Sequence, residues 1–280
     1  MIRGIHILST APSSHRMQLG DKPSYLETAS MVLSALLWER HCGPLSLFTD
    51  STFFSFLKEA GLLGLWSGGT DTITIDTIPS SVDQKVFWAA AKLFALQKAE
   101  APIAMVDNDL FVWKDLSPFL KDDAITVLHR EELWDCYVPK EELGTPPGYR
   151  FDPDWDWEEK PCNTAFAFFP EESFKKRYTE AAIGFMAGNP GKDAVRSSQM
   201  VFAEQRILSM CAKRDNVSVI TLVEDPFDEQ NNLFTHLWGA KDLTKENRLE
   251  RQRLLDSIMA RISELNEGYH QRIKELYLLD

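Results

Sequence analysis

The sequence predicts an α/β fold with a mostly parallel central sheet and a helical C-terminal extension. Two observations carry the first part. Short apolar or β-branched runs alternate with longer stretches that are apolar at every third or fourth position. Strands joined by helical crossovers lie parallel, because a crossover returns the chain to the same end of the sheet. A third observation carries the extension: from Leu243 onward the chain is charged and amphipathic at helical spacing.

The elements follow in order. Ile5-His6-Ile7-Leu8 is a first strand, ended by Ser9-Thr10-Ala11-Pro12. Residues 25–41 place Leu26, Ala29, Val32, Leu33, Leu36 and Leu37 at helical spacing. Residues 44–49 form a second strand that stops at Asp50, and residues 52–60 a helix stopped by Gly61. Thr72-Ile73-Thr74-Ile75 alternates like a strand, and residues 83–98 read as one strong helix. Residues 101–106 are a buried strand that runs straight into Asp107-Asn108-Asp109. Further strands are predicted over 124–128, 165–169 and 217–220, and helix over 197–213.

Composition limits the function classes. A hydrophobic fraction of 44% and a charged fraction of 26% belong to a globular chain, not a disordered or fibrous one. The 280 residues carry a net charge of -12, which argues against a general nucleic-acid binder, since neutralising phosphates needs a basic surface. Cys42, Cys136, Cys162 and Cys211 are widely spaced and form no C-x-x-C site, so they read as reduced thiols of a cytoplasmic protein. There is no apolar run long enough to span a membrane, no signal peptide and no repeat.

Ligands of parallel α/β sheets sit outside the carboxyl ends of the strands. Ser9, Thr10, Asp50, Asp107 and Asp109 all fall at such ends. Two carboxylates at i and i+2 of an extended segment can face one ion, and hard oxygen ligands suit Mg²⁺ or Mn²⁺. Asp-rich turns also end strands without any metal. Asp152, Asp154 and Asp156 repeat the spacing but fail as a calcium loop, with Trp157 in place of Gly and Asn163 in place of Glu. They lie in an aromatic, acidic segment, residues 149–159, that reads either as an acceptor-side sugar platform or as a loop pinned to the core by its tryptophans.

The strand running into Asp107-Asn-Asp109, followed by apolar residues and Lys114-Asp-Leu116, resembles the D-x-D region of GT-A-fold glycosyltransferases. Three later pieces appear in the order of glycosyltransferase family 8, the family of glycogenin and bacterial lipopolysaccharide galactosyltransferases. Cys162-Asn-Thr-Ala-Phe166 is similar to its F-N-[AS]-G-[VM] strand, Ala203-Glu-Gln-Arg-Ile-Leu208 to its D-Q-D-I-L helix, and Phe234-Thr-His-Leu-Trp-Gly-Ala-Lys241 to its H-x-x-G-x-x-K-P motif. The helix around Lys92 sits where the family has a basic helix. Departures are Ala165 for the usual Gly, Glu204 for Asp, a last motif one residue short, and Asp242 for Pro.

The resemblance implies a GT-A-like, Rossmann-type nucleotide-binding domain over residues 1–241 and a helical extension over 242–280. It implies a hexosyltransferase that moves a sugar from a nucleotide-diphospho-sugar, expected to be UDP-linked, to a glycan acceptor with retention. Asp107, Asp109 and His236 would hold Mn²⁺ (or Mg²⁺). Gly239 and Lys241 would meet the diphosphate, with Lys92 a further candidate, and Ser9, Thr10 and Asp50 would border the nucleoside. Asn163, Glu204 and Gln205 would face donor sugar and acceptor. His236 also reads as a core histidine and Lys92 as a solvated one. The rivals are a catalytically silent scaffold of the same fold and a sugar-phosphate nucleotidyltransferase, which usually has a Gly-rich loop after its first strand. The C-terminal seam of Leu255, Ile258, Ile262, Leu265, Tyr269, Ile273 and Leu276 reads as packing on the catalytic domain or as a homodimer contact; a peripheral-membrane face is disfavoured, since its charges are of both signs without a strong basic excess.

Overall fold

The computed structural model describes residues 1–11, 22–191, 197–228, 230–237 and 247–277. Strand β1 spans Gly4–Leu8, helix α1 Tyr25–His41, β2 Leu45–Thr49 and α2 Ser51–Glu59. β3 is only Thr70–Asp71, and a single helical turn, Ile73–Asp76, follows it. Helix α3 covers Ala90–Lys98, β4 Ile103–Val106, β5 Leu110–Val112 and β6 Ala124–Val127. β7 is Phe166–Phe169 and α4 is Glu172–Met186. Helix α5 starts as Ser198–Val201, widens into a π-helical turn over Phe202–Arg206 and finishes as Ile207–Arg214. β8 is Ser218–Thr221, β9 Phe234–His236, α6 Arg248–Leu265 and α7 Glu267–Tyr277. The chain forms two compact units, one of residues 1–72, 107–117 and 232–280, the other of residues 73–106 and 118–231.

In the first unit β1, β2 and β3 are parallel, with Leu8 opposite Thr49 and Leu47 opposite Thr70. Helix α1 starts with a capping box: the Glu27 amide donates to Ser24 Oγ, and the Ser24 amide donates to the Glu27 carboxylate. It is buried on nearly every side, including Leu26, Met31, Val32, Leu33, Leu37 and Trp38. A helix apolar all round needs cover all round. α1 finds it in β2 and β5 and in the C-terminal helices α6 and α7. Those helices contribute Leu255, Ile258, Met259, Ile262 and Ile273, all buried. The C-terminal seam is thus spent largely inside this unit. Gly4 is required at its position, because a Cβ there would stand 2.6 Å from the Trp38 indole.

In the second unit β6 and β8 are parallel, but β7 runs antiparallel to both β4 and β6. Around Phe87, Phe166, Phe169, Tyr178 and Phe185 the core is aromatic. Lys175 is fully buried and caps the end of α3: its Nζ donates to the Leu96 and Ala99 carbonyls and lies 3.0 Å from Glu172. The 149–159 segment resolves toward core anchoring. Trp155 is buried, and one face of the half-buried Trp157 stacks on Phe202 with centroids 5.4 Å apart, so that face is not offered to a sugar.

Two expectations are corrected and one helix is added. The strand at 72–75 is instead a two-residue β3 and a helical turn, which Thr77 closes by donating to the Ile73 carbonyl at 2.7 Å. The helix at 83–98 begins only at Ala90. Before it lie separate turns, and the Ala89 amide leaves the ladder for Met200 Sδ at 3.3 Å. Helix α4 is an addition, legible after the fact in the spacing of Phe174, Tyr178, Ala182 and Phe185. No described helix is long and apolar enough to cross a membrane.

Candidate functional site

The acidic turn begins where β4 ends. The Leu110 amide donates to the Asp107 carbonyl at 3.1 Å, which closes the turn and launches β5. β5 pairs antiparallel with β9, with Leu110 opposite His236 and Val112 opposite Phe234. The Leu237 amide donates to the Asp109 carbonyl at 3.2 Å and the Trp113 amide to the Leu233 carbonyl at 2.8 Å. This small ladder carries His236 to the turn.

As a result Asp107, Asp109 and His236 each offer a ligand atom within 4.8 Å of the others. His236 Nε2 lies 3.6 Å from Asp109 Oδ1. All three side chains are half-buried. Divalent ions bond such atoms at roughly 2.0–2.6 Å, so one ion can reach all three. Two carboxylates and an imidazole fit Mn²⁺ or a neighbouring divalent metal better than a purely oxygen-loving one. All three are sequence-predicted ligands, and the fold brings them together.

Ser9, Thr10 and Asp50 also meet, at the adjacent carboxyl ends of β1 and β2. The Thr10 amide and hydroxyl donate to Asp50 Oδ2 at 2.5 Å and 3.0 Å, and the Phe53 amide donates to Oδ1 at 2.8 Å. Asp50 therefore caps α2 and straps the β1 loop to it. Ser9 Oγ accepts from the Ala11 amide at 3.2 Å. Gly239 and Lys241 lie outside the described residues.

A histidine and a serine that the motifs did not single out lie behind the turn. His6 is fully buried on β1. Burial, opposed by the Asp109 charge, drops its pKa to about 3, so the imidazole is neutral. The Trp66 indole N–H donates to His6 Nδ1 at 3.4 Å, and His6 Nε2 is 3.1 Å from Ser34 Oγ. The Ser34 hydroxyl is 2.7 Å from the Leu110 carbonyl and 3.3 Å from that of Asp107.

The second unit holds the other predicted residues as a polar cluster of its own. The π-helical turn of α5 includes Glu204 and Gln205. Such widened turns free carbonyls from the ladder and recur at functional sites. Here the Tyr178 hydroxyl donates to the Glu204 carbonyl at 2.6 Å, and the Cys162 amide to that of Gln205 at 3.3 Å. The Glu204 carboxylate is buried and accepts from Lys92 Nζ at 2.9 Å and from Thr164 at 2.7 Å. Lys92 is thereby an ion-pair partner more than a solvated residue, with its side chain 17% exposed. Tyr137 donates to Gln205 Oε1 at 2.5 Å, which turns the Gln205 amide NH₂ away from the tyrosine. Burial raises the Tyr137 pKa, so it stays a donor. Asn163 donates to Glu131 at 2.8 Å and accepts from the Ala165 amide at 3.1 Å.

No family model and no curated protein matches the chain. Among solved structures it is similar to mouse xyloside xylosyltransferase 1 in its apo form, at 12% identity over 79% of this chain and 84% of that one, with a TM-score of 0.39. It is similar to the apo form of the glycosyltransferase GlyE of Streptococcus pneumoniae TIGR4, at 15% identity over 91% of this chain, with a TM-score of 0.41; it spans about half of that chain, 51%. A third is the galactosyltransferase LgtC in complex with donor and acceptor sugar analogs, at 11% identity over 91% of this chain and 96% of that one, with a TM-score of 0.41.

Proposed function

We propose that the protein is a metal-dependent glycosyltransferase of the GT-A type that moves a sugar from a nucleotide-diphospho-sugar, UDP-linked in the first instance, to a saccharide acceptor with retention. The observation that carries this reading is the convergence of Asp107, Asp109 and His236 on one point at the end of an α/β strand. The Asp107 and Asp109 carboxylates and a ring nitrogen of His236 would hold Mn²⁺ or Mg²⁺. A divalent ion bound there would offset the negative charge that grows on a departing nucleoside diphosphate.

The chain's own groups would do the rest. Ser9 and Thr10, strapped by Asp50, border the nucleoside. Gly239 and Lys241, next along the chain from His236, meet the diphosphate, with the lysine adding a second positive charge. In the second unit Gln205 and Asn163 meet the sugar substrates as hydrogen-bonding amides. Glu204, which the resemblance would turn toward the sugar substrates, is buried and held by Lys92 and Thr164, so its part in this proposal is to anchor the π-helical turn that carries Gln205. Four free cysteines support a reducing, cytoplasmic setting.

Isothermal titration of UDP, with GDP as control, tests this with and without Mn²⁺. Wild type should bind UDP only with the metal, and Asp109→Ala should abolish binding. If a folded wild type binds neither nucleotide, the silent-scaffold reading replaces the transferase reading.

A further inference from the structure

We propose that Ser34, with His6 and Trp66 behind it, is a positioning residue that holds the Asp107–Leu110 turn in its ligating shape before any cation arrives. The inference rests on the metal reading above. It starts from a problem in that turn. Two carboxylates brought close enough to share an ion repel one another while the ion is absent, which loads a short turn toward opening. One backbone hydrogen bond, from the Leu110 amide to the Asp107 carbonyl, closes it, and a side chain that ties the same two residues would stiffen it.

Ser34 is built to do so. Its hydroxyl lies 2.7 Å from the Leu110 carbonyl and 3.3 Å from the Asp107 carbonyl, so one side chain spans both ends of the turn. Leu110 is also the residue opposite His236, so the same contact fixes the strand that delivers the third ligand. Ser30, one helical turn earlier, shows what a buried helical serine ordinarily does: its hydroxyl donates to the Leu26 carbonyl at 2.7 Å, four residues back. Ser34 reaches out to the turn.

The direction of the Ser34 proton is set from behind. The Trp66 N–H can only donate, so His6 Nδ1 must accept and the imidazole proton must sit on Nε2. Nε2–H then donates to Ser34 Oγ, which leaves the serine proton nothing to do but donate to the turn carbonyls. Each of Trp66, His6 and Ser34 is buried, so water does not compete at any link. Removing one link would leave a donor or acceptor unpaired and let the turn relax.

The test is Mn²⁺ binding by the full-length protein, read from the loss of the free-ion electron paramagnetic resonance signal, alone and with UDP. Wild type, Ser34→Ala, Trp66→Phe, Asp109→Ala and the double variant Ser34→Ala/His6→Asn are compared, with circular dichroism as the folding control. Ser34→Ala should weaken Mn²⁺ binding roughly tenfold or more, the usual scale for residues that orient ligands from behind. Adding His6→Asn should cost little more, since His6 acts through the missing hydroxyl. A folded Ser34→Ala that binds Mn²⁺ like wild type, while Asp109→Ala does not bind, overturns the brace and leaves the metal reading intact. If Ser34→Ala does not fold, Trp66→Phe decides: weaker binding supports the chain of donors, and unchanged binding overturns it. A folded wild type that binds no Mn²⁺ removes the metal reading, and the brace with it.

Discussion

His6 and Asp109 lie in one neighbourhood and illustrate what can be read residue by residue. Asp107 and Asp109 are legible as a D-x-D after an apolar run, whereas His236 joins them in the sequence only through the family resemblance, since an apolar stretch around a histidine otherwise reads as core. His6 is not legible, since its role comes from Trp66 and Ser34, 60 and 28 residues away, and no spacing rule reaches that far. The pairing of half-buried Lys92 with buried Glu204 is hidden for the same reason. His6 makes a pH prediction. Its folded pKa of about 3 lies below the ordinary imidazole value of 6.5. Between those values the unfolded chain binds a proton that the folded chain refuses. Its contribution to stability is therefore complete above pH 6.5 and lost as pH falls toward 3, at about 1.4 kcal/mol per pH unit. Urea unfolding of wild type and His6→Gln from pH 7.5 to pH 4 should show the gap between them shrinking as pH falls. A constant gap would mean that His6 does not titrate this way.

At the scale of elements, long periodic segments are legible and short ones are not. The 17 residues of α1 fall where the apolar spacing puts them. The three-residue strands β5 and β9 carry no periodicity of their own, yet their pairing is what brings His236 to the acidic turn. The antiparallel direction of β7 is equally silent, because an apolar run of four residues looks the same read from either face or end. Gly4 is a sharper test of how elements meet. It lets the Trp38 indole of α1 lie against β1, where a methyl group would intrude to 2.6 Å. Trp38 is fully buried and cannot swing out of the way. Gly4→Ala should destabilise the protein by about 1–3 kcal/mol, the usual cost of overpacking, measured as a shift in the urea midpoint. A neutral effect would show that the indole can slide.

At the scale of the whole molecule, alternating strands and helices made the α/β class legible from the sequence. The division into two units was not, because it depends on which distant segments touch. Residues 248–277 matter here. Their seam reads in the sequence as packing on the catalytic domain or as a dimer contact, and α6 and α7 cover α1 and share its unit. A chain ending at residue 247 should lose the cooperative thermal transition of that unit and become protease-sensitive within residues 25–41. An unchanged melting midpoint would instead mark the C-terminal helices as an independent extension.

The first unit is assembled from an early, a middle and a late stretch of chain, whereas every piece of the second has been made by residue 231. Translation is directional, so this difference becomes one of timing. A ribosome that has just finished β8 has already released Asp107 and Asp109 but has yet to make His236 or the helices that enclose α1. The nascent protein therefore carries an acidic turn without its histidine and an apolar helix without its cover. Its proposed metal centre can form only once the chain has passed His236, and the cover of α1 follows later still with residues 248–277, so a chaperone that shields residues 25–41 would find its client during that interval.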